Sequence, residues 1–539
     1  MAWQKMLTRV DNYDDLWKQI DYATFQIPQH FNMGAAVIED RDPTRRAITE
    51  VYPDFSTRDF TWAELLERSN RIGNALRDRG VGRGDVVVII NPQAFDTAAA
   101  FVGIWRIGAV VLPISQLFGP SALDYRFGNS GAKAVITFQE HREKVVEGIG
   151  DRDLPLLVIG APADDPASFE SALAAASPQL ETINTESEES ALLVYTSGTT
   201  GNPKGALHAH RQLFGQMPPM EMCYDFHPES DDVFWSVADW AWIAGIMCIM
   251  MAALLYEVPL VVDRKEGFDP QRAARIMREH KVSLTLLPAT ALRGFRASGI
   301  DGGGFSIRAM MSGGEALGAE LRGWASEFFG GQINDAYGQT EMNGFALHSS
   351  QVFETKPGAA GRPAPGSRVM VVDEDFNPVR NQTGRIVVWR HNPLVMKEYW
   401  RNPEGTAKKF HGDWLISGDL GRMDDDGYIW FESRDDDVIN SSGYRIGPTE
   451  IEDCLCAHDS VALAAVIGVP DERRGEAIRA FVVPRPGVQT SDELGQELRA
   501  YVRARLAAHE VPREIVFLDD LPRTATGKIM RRTLREPKE

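Results

Sequence analysis

The chain has 539 residues, 43% of them apolar, enough to fill more than one buried core. A formal net charge of -19 excludes a general polyanion binder, because sequence-independent contacts to nucleic acid need clustered Lys and Arg. Cys223, Cys248, Cys454 and Cys456 form no CxxC pair and no disulfide framework, which fits a reducing compartment; with no apolar signal core at the N-terminus, a cytoplasmic protein is expected.

Along the chain, Thr61 and Glu64 are spaced as a capping box for a helix whose Trp62, Leu65, Leu66, Ile72 and Leu76 share one face. Gly80 ends it before the strand-like DVVVII at 85–90. Similar runs at 108–114, 133–138, 154–160 and 282–288 give the pattern of parallel sheets covered by helices. The segment 161–190, rich in Ala, Ser, Pro and acidic residues, is expected to be a surface connection. His208 and His210 follow in ALHAH; two apart at the start of an expected helix, they would not share a face, which speaks against a metal site. The uncharged run 241–256 is short of the roughly 20 residues a membrane span needs and reads as a buried helix, without stable membrane insertion.

Near residue 434 the character changes. Asp426 and Gly427 mark a hairpin, and Arg434 to Asp437 form a charged joint. Gly447 and Pro448 can open a helix at Thr449. Strand-like runs at 461–469 and 477–483 precede a helix with Leu494, Leu498, Val502 and Leu506 on one face, capped by Thr490 and Glu493, and a strand at 515–518. A second, small α+β domain is expected there.

The stretch YTSGTTGNPKG at 195–205 is the strongest chemical signal. After the strand-like ALLVY it offers glycines for close approach, hydroxyls and backbone N–H groups for phosphate oxygens, and Lys204 as a point charge. It is not a Walker loop, because Gly205 rather than Ser or Thr follows the lysine.

With five further motifs in fixed order, SGGEAL (312–317), DAYGQTE (335–341), SGDLG (417–421), RDDDVINSSGYRIGPTEIE (434–452) and PRTATGKIMRR (522–532), the chain resembles the adenylate-forming enzymes over nearly its whole length, medium-chain acyl-CoA synthetases most of all. The resemblance implies an α/β fold: a large N-terminal domain of helix-covered sheets with a small β-barrel-like part (1–433), a hinge (434–437) and a small mobile C-terminal domain (438–539). It implies that a carboxylic acid is joined to AMP from ATP, with loss of pyrophosphate, and then passed to CoA. Thr196, Ser197, Gly198, Thr199, Thr200 and Lys204 would hold the β- and γ-phosphates, Thr340 the α-phosphate, and Glu341 the Mg²⁺. Gly314, Glu315, Ala316, Asp335 and Tyr337 would frame adenine; Asp419, supported by Arg434, would take the ribose hydroxyls.

By the same resemblance Lys528 is the catalytic lysine, bridging the attacking carboxylate and the α-phosphate, and Asp436 is the hinge about which the small domain turns. Ser442, Gly443 and Arg445 would then receive CoA. Arg473, Arg474 and Arg479 are candidates for its nucleotide end, with a solvated face as good a reading. Trp240, Trp242, Gly245, Met247, Gly338, Gly344 and Phe345 are the expected acyl walls. Acetyl-specific relatives carry Trp where this chain has Gly338, and the missing indole is expected to leave depth for a medium-chain or similar apolar acid. Two other readings stand beside this one: a stand-alone adenylating enzyme passing the acyl group to a carrier protein or other acceptor, and a nucleotide-binding regulator without catalysis.

Overall fold

The computed structural model describes residues 3–535 apart from 197–201, 266, 316, 436, 442–443, 472–474, 508 and 524–528; the side chains at 440, 444, 445 and 532 also lie outside the description. The described residues form two compact units. One draws on Met1–Thr196, Asn202–Arg368 and Trp389–Asp413, the other on Val369–Val388 and Trp414–Glu539.

Two large sheets build the first unit. In one, strands Gln332–Gln339, Ala309–Gly313, Leu284–Leu286, Phe234–Ser236, Leu260–Asp263 and Arg46–Val51 run parallel, with antiparallel strands at both edges. In the other, the expected strands appear as the adjacent parallel neighbours Val110–Pro113, Val86–Ile90, Ala134–Phe138 and Leu156–Ile159. Their residues are buried on both faces, which is why they read as continuous apolar runs. Helices Trp62–Arg77 and Phe95–Arg106 share one core with inward residues of both sheets. The capping box forms as expected: Glu64 N–H donates to Thr61 Oγ1 at 3.3 Å, and Thr61 N–H to the Glu64 carboxylate at 2.8 Å.

Two expectations for this unit are corrected. Segment 161–190 is not a bare surface connection, since it holds helix Phe169–Ala175 and buries Phe169 and Leu173 in the core. His208 lies within a strand, Lys204–Ala209, and His210 directly follows it, so neither starts a helix. The apolar run 241–256 is buried helix, its middle loosened into a π turn at Ile246–Met250. No helix among the described residues is long and apolar enough to cross a membrane.

The second unit contains the small barrel-like sheet, whose strands include Val369–Val372, Thr383–Trp389, Trp414–Met423 and Ile429–Arg434, with the expected Asp–Gly hairpin at Gly427. It also contains the α+β module. Strands Val461–Asp471 and Gly475–Pro484 pair antiparallel and Glu514–Phe517 joins the latter in parallel. Helix Pro448–Cys456 starts one residue before the expected Thr449, with Pro at its first position. Helix Asp492–Arg505 is capped by Ser491, not Thr490: the Ser491 side chain accepts from Leu494 N–H. Ser491 has the extended backbone a cap requires, and Leu506 lies just past the helix end.

Candidate functional site

The described ends of the 195–205 motif lie on two paired strands of a hairpin. Ser190–Thr196 and Lys204–Ala209 are antiparallel, Thr196 faces Lys204 across the ladder, and Thr196 Oγ1 donates to the Lys204 carbonyl at 3.3 Å. A short edge strand, Glu398–Tyr399, pairs with Lys204–Ala209 and sets Tyr399 opposite Ala206. The Lys204 ammonium stands 5.4 Å from the centre of the Tyr399 ring. The phenol of Tyr399 donates to Glu341 Oε1 at 2.6 Å, with both residues buried.

Glu341 occupies the turn between strands Gln332–Gln339 and Asn343–Leu347, just after the half-buried Thr340. Met396 N–H donates to the Glu341 carbonyl at 2.8 Å, so the same segment that carries Tyr399 fixes backbone and side chain of the glutamate. His208, fully buried on the hairpin strand, stays neutral. Burial and then the Arg211 charge push it down to about 3, against weaker opposite pulls from Glu341 and the Thr340 backbone.

Asp335 and Tyr337 lie on the same strand as Gly338. Burial raises the Asp335 carboxyl, although Arg322 pairs with it. The Tyr337 ring packs on Phe345 with centroids 4.8 Å apart. Strand Ala309–Gly313 runs alongside, and Gly314 beyond it takes φ +86°, a conformation that favours glycine. Glu315 accepts from the Thr290 hydroxyl and, at 3.2 Å, from Arg293, which ties it to helix Ala289–Ala297.

Of the expected acyl walls, Trp240, Met247 and Phe345 are sealed in the core, and Trp242 and Gly344 are half-buried. Gly245 is required by packing, since a Cβ there would lie 2.5 Å from the Asp239 carbonyl oxygen. Gly338 is a correction. A Cβ at this position would fall 1.9 Å from the Asn343 carbonyl oxygen, so main chain fills the side that was expected to be open depth.

In the second unit, Gly418 turns the chain at φ +80° and Asp419 follows, 2% exposed, its Oδ1 3.1 Å from Arg434 Nη1. The two residues face each other in the ladder. Arg479 pairs with Glu514 at 2.6 Å. Ser197, Gly198, Thr199, Thr200, Ala316, Asp436, Ser442, Gly443, Arg473, Arg474, Lys528 and the side chain of Arg445 lie outside the described residues. Sequence reasoning missed Tyr399: it meets Glu341 through pairing of a two-residue edge strand, and no local spacing announces such a contact.

Residues 37–400 match the family of AMP-binding enzymes and residues 450–528 the AMP-binding enzyme C-terminal domain. The chain is 33% identical to an acetyl-coenzyme A synthetase of Bacillus subtilis (strain 168), over 97% of this chain and 94% of that protein. It resembles the crystal structure of a Brucella canis acyl-CoA synthetase (TM-score 0.76, 33% identity, 98% of each chain). It is also similar to a benzoate CoA ligase from Burkholderia xenovorans LB400 (TM-score 0.83, 28% identity, 94% of this chain and 100% of that one).

Proposed function

Because the chain belongs to the AMP-binding enzyme family and is an AMP-forming acid–CoA ligase using ATP and CoA, we propose that its acid is a medium-chain or similarly apolar carboxylate. The observation that carries the site reading is the line Lys204–Tyr399–Glu341: a cation and a carboxylate held by one phenol beside the phosphate-loop hairpin. Lys204 suits the β- and γ-phosphates of ATP, which leave as pyrophosphate. A single buried carboxylate such as Glu341 suits Mg²⁺, which takes its other oxygens from phosphates and water and would neutralise the departing pyrophosphate. Asp419, held against Arg434, is a natural acceptor for two ribose hydroxyls.

In this reading the half-buried Trp242 and Gly344 face the acyl group, with the buried Trp240, Met247 and Phe345 as its apolar surroundings, and this character, rather than any opening at Gly338, supports an apolar acid. We assign the functional division as 1–433, a hinge at 434–437 around Asp436, and 438–539, where Lys528 serves adenylation and Ser442, Gly443 and Arg445 serve CoA. Two half-reactions in one site then require the small domain to turn between them. The identity of the acid is tested directly: pyrophosphate release and thioester formation with ATP and Mg²⁺, over acids from acetate to decanoate plus benzoate, with and without CoA. Thioester formation peaking in the middle of the series is expected. A maximum at acetate, or at benzoate alone, refutes the medium-chain reading.

A further inference from the structure

Tyr399 belongs to none of the sequence motifs, yet its side chain touches two of them. Its hydroxyl bonds Glu341 Oε1 at 2.6 Å and its ring face stands 5.4 Å from the Lys204 ammonium. We propose that Tyr399 is a positioning residue for adenylation, its hydroxyl orienting the Glu341 carboxylate toward the metal that accompanies ATP and its ring orienting the Lys204 ammonium toward phosphate. The inference rests on the reading of Glu341 and Lys204 given above.

Two physical arguments support it. Mg²⁺ demands near-ideal octahedral geometry, so a carboxylate ligand with free side-chain rotation is a poor one, and hydrogen bonds to a ligand from outside the metal's own shell set its orientation. A phenol on a buried carboxylate is such a bond, charge-assisted and short. Lysine carries its charge on a flexible stem, and an aromatic face is a weak but directional seat for an ammonium.

The hydroxyl is not needed to hold the strand. The Tyr399 backbone is fixed by ladder pairing and by Thr406, whose Oγ1 accepts from Tyr399 N–H at 2.9 Å. The ring packs with Ala206, Met396 and Phe410, contacts that phenylalanine would keep. Tyr399→Phe therefore separates positioning from folding.

The test is calorimetric binding of a non-hydrolysable ATP analogue to the full chain, with Mg²⁺ and with EDTA, for the wild type, Tyr399→Phe, Tyr399→Leu and Glu341→Gln, alongside the Mg²⁺ dependence of pyrophosphate release. Tyr399→Phe is expected to weaken binding about tenfold with Mg²⁺ only, and to move half-saturation by Mg²⁺ upward. Tyr399→Leu should weaken binding with EDTA as well, because the ring is lost. If Glu341→Gln loses the Mg²⁺-dependent component while Tyr399→Phe keeps it, the positioning role is overturned and the reading of Glu341 stands. If Glu341→Gln also keeps it, the reading of the site is overturned and the role of Tyr399 falls with it.

Discussion

Gly338→Ala distinguishes a glycine that leaves room for substrate from one that lets two strands touch. The new Cβ would sit 1.9 Å from the Asn343 carbonyl oxygen, 2.5 Å from its carbon and 2.8 Å from the Gly344 Cα. All three are main-chain atoms, so no rotamer change relieves the contact, and the strands must separate by something on the order of 1 Å. They cannot do so freely, because Gly338 and Gln339 are paired with Gly344 and Asn343 across a ladder that already carries a bulge, and Asn343 is held at φ +47°. Overpacking of this kind costs about 1–3 kcal/mol, which in a unit of this size lowers the melting temperature by roughly 1–4 °C. The turn that must shift carries Thr340 and Glu341, so adenylation should fall for every acid alike. Thermal denaturation and the acid series together read this out. A variant that melts like the wild type and accepts only shorter acids would refute the packing argument and restore Gly338 as open depth.

Arg531 donates to both oxygens of Glu452, at 2.9 and 2.6 Å, and to Asp437 at 3.2 Å. Arg531→Ala takes the guanidinium from the largely buried Glu452, while Asp437 keeps Arg535 at 3.2 Å, and should cost about 3 kcal/mol in chemical denaturation; a loss within error would show that water replaces the guanidinium. Stability should also depend on pH with opposite contributions. His208, His210 and His348 are held down to about 3 by burial, below their unfolded value, so their contribution is complete above 6.5 and is lost as pH falls toward 3. Glu221 is pushed up to about 7 by burial, so its contribution is present below 4.5 and is lost as pH rises through 7. Urea midpoints should fall from pH 7 to pH 5, and fall further in Glu221→Gln, which removes the opposing contribution; a flat wild-type profile would refute the neutral histidines.

Much of the first unit was legible because its evidence is local. The parallel strands announced themselves as short apolar runs, and the capping box at Thr61 and Glu64 needs only three residues of spacing. Apart from the helix cap expected at Thr490 and found one residue on, at Ser491, what failed was decided by a distant partner. His208 reads as a helix residue until the hairpin pairs it opposite Leu192, and Phe169 reads as part of a connection until the core takes it in. Gly338 shows the same limit: a glycine alone does not say whether ligand or main chain occupies the space it leaves.

Two of the legible motifs share a place in the fold. Gly314 and Glu315 follow strand Ala309–Gly313, and Thr340 and Glu341 follow strand Gln332–Gln339, two parallel neighbours in register. At the carboxyl end of parallel strands the chain leaves the ladder, so backbone groups and side chains become available together, and open α/β sheets bind ligands there. A sequence motif can persist at such an end because each strand delivers its following residues independently. Tyr399 reaches the same carboxylate from an edge strand of the other sheet, through a hydrogen bond that exists only once both sheets are built. The residues assigned here to the chemistry are therefore written as motifs, while Tyr399, proposed to aim two of them, is visible only in the folded chain.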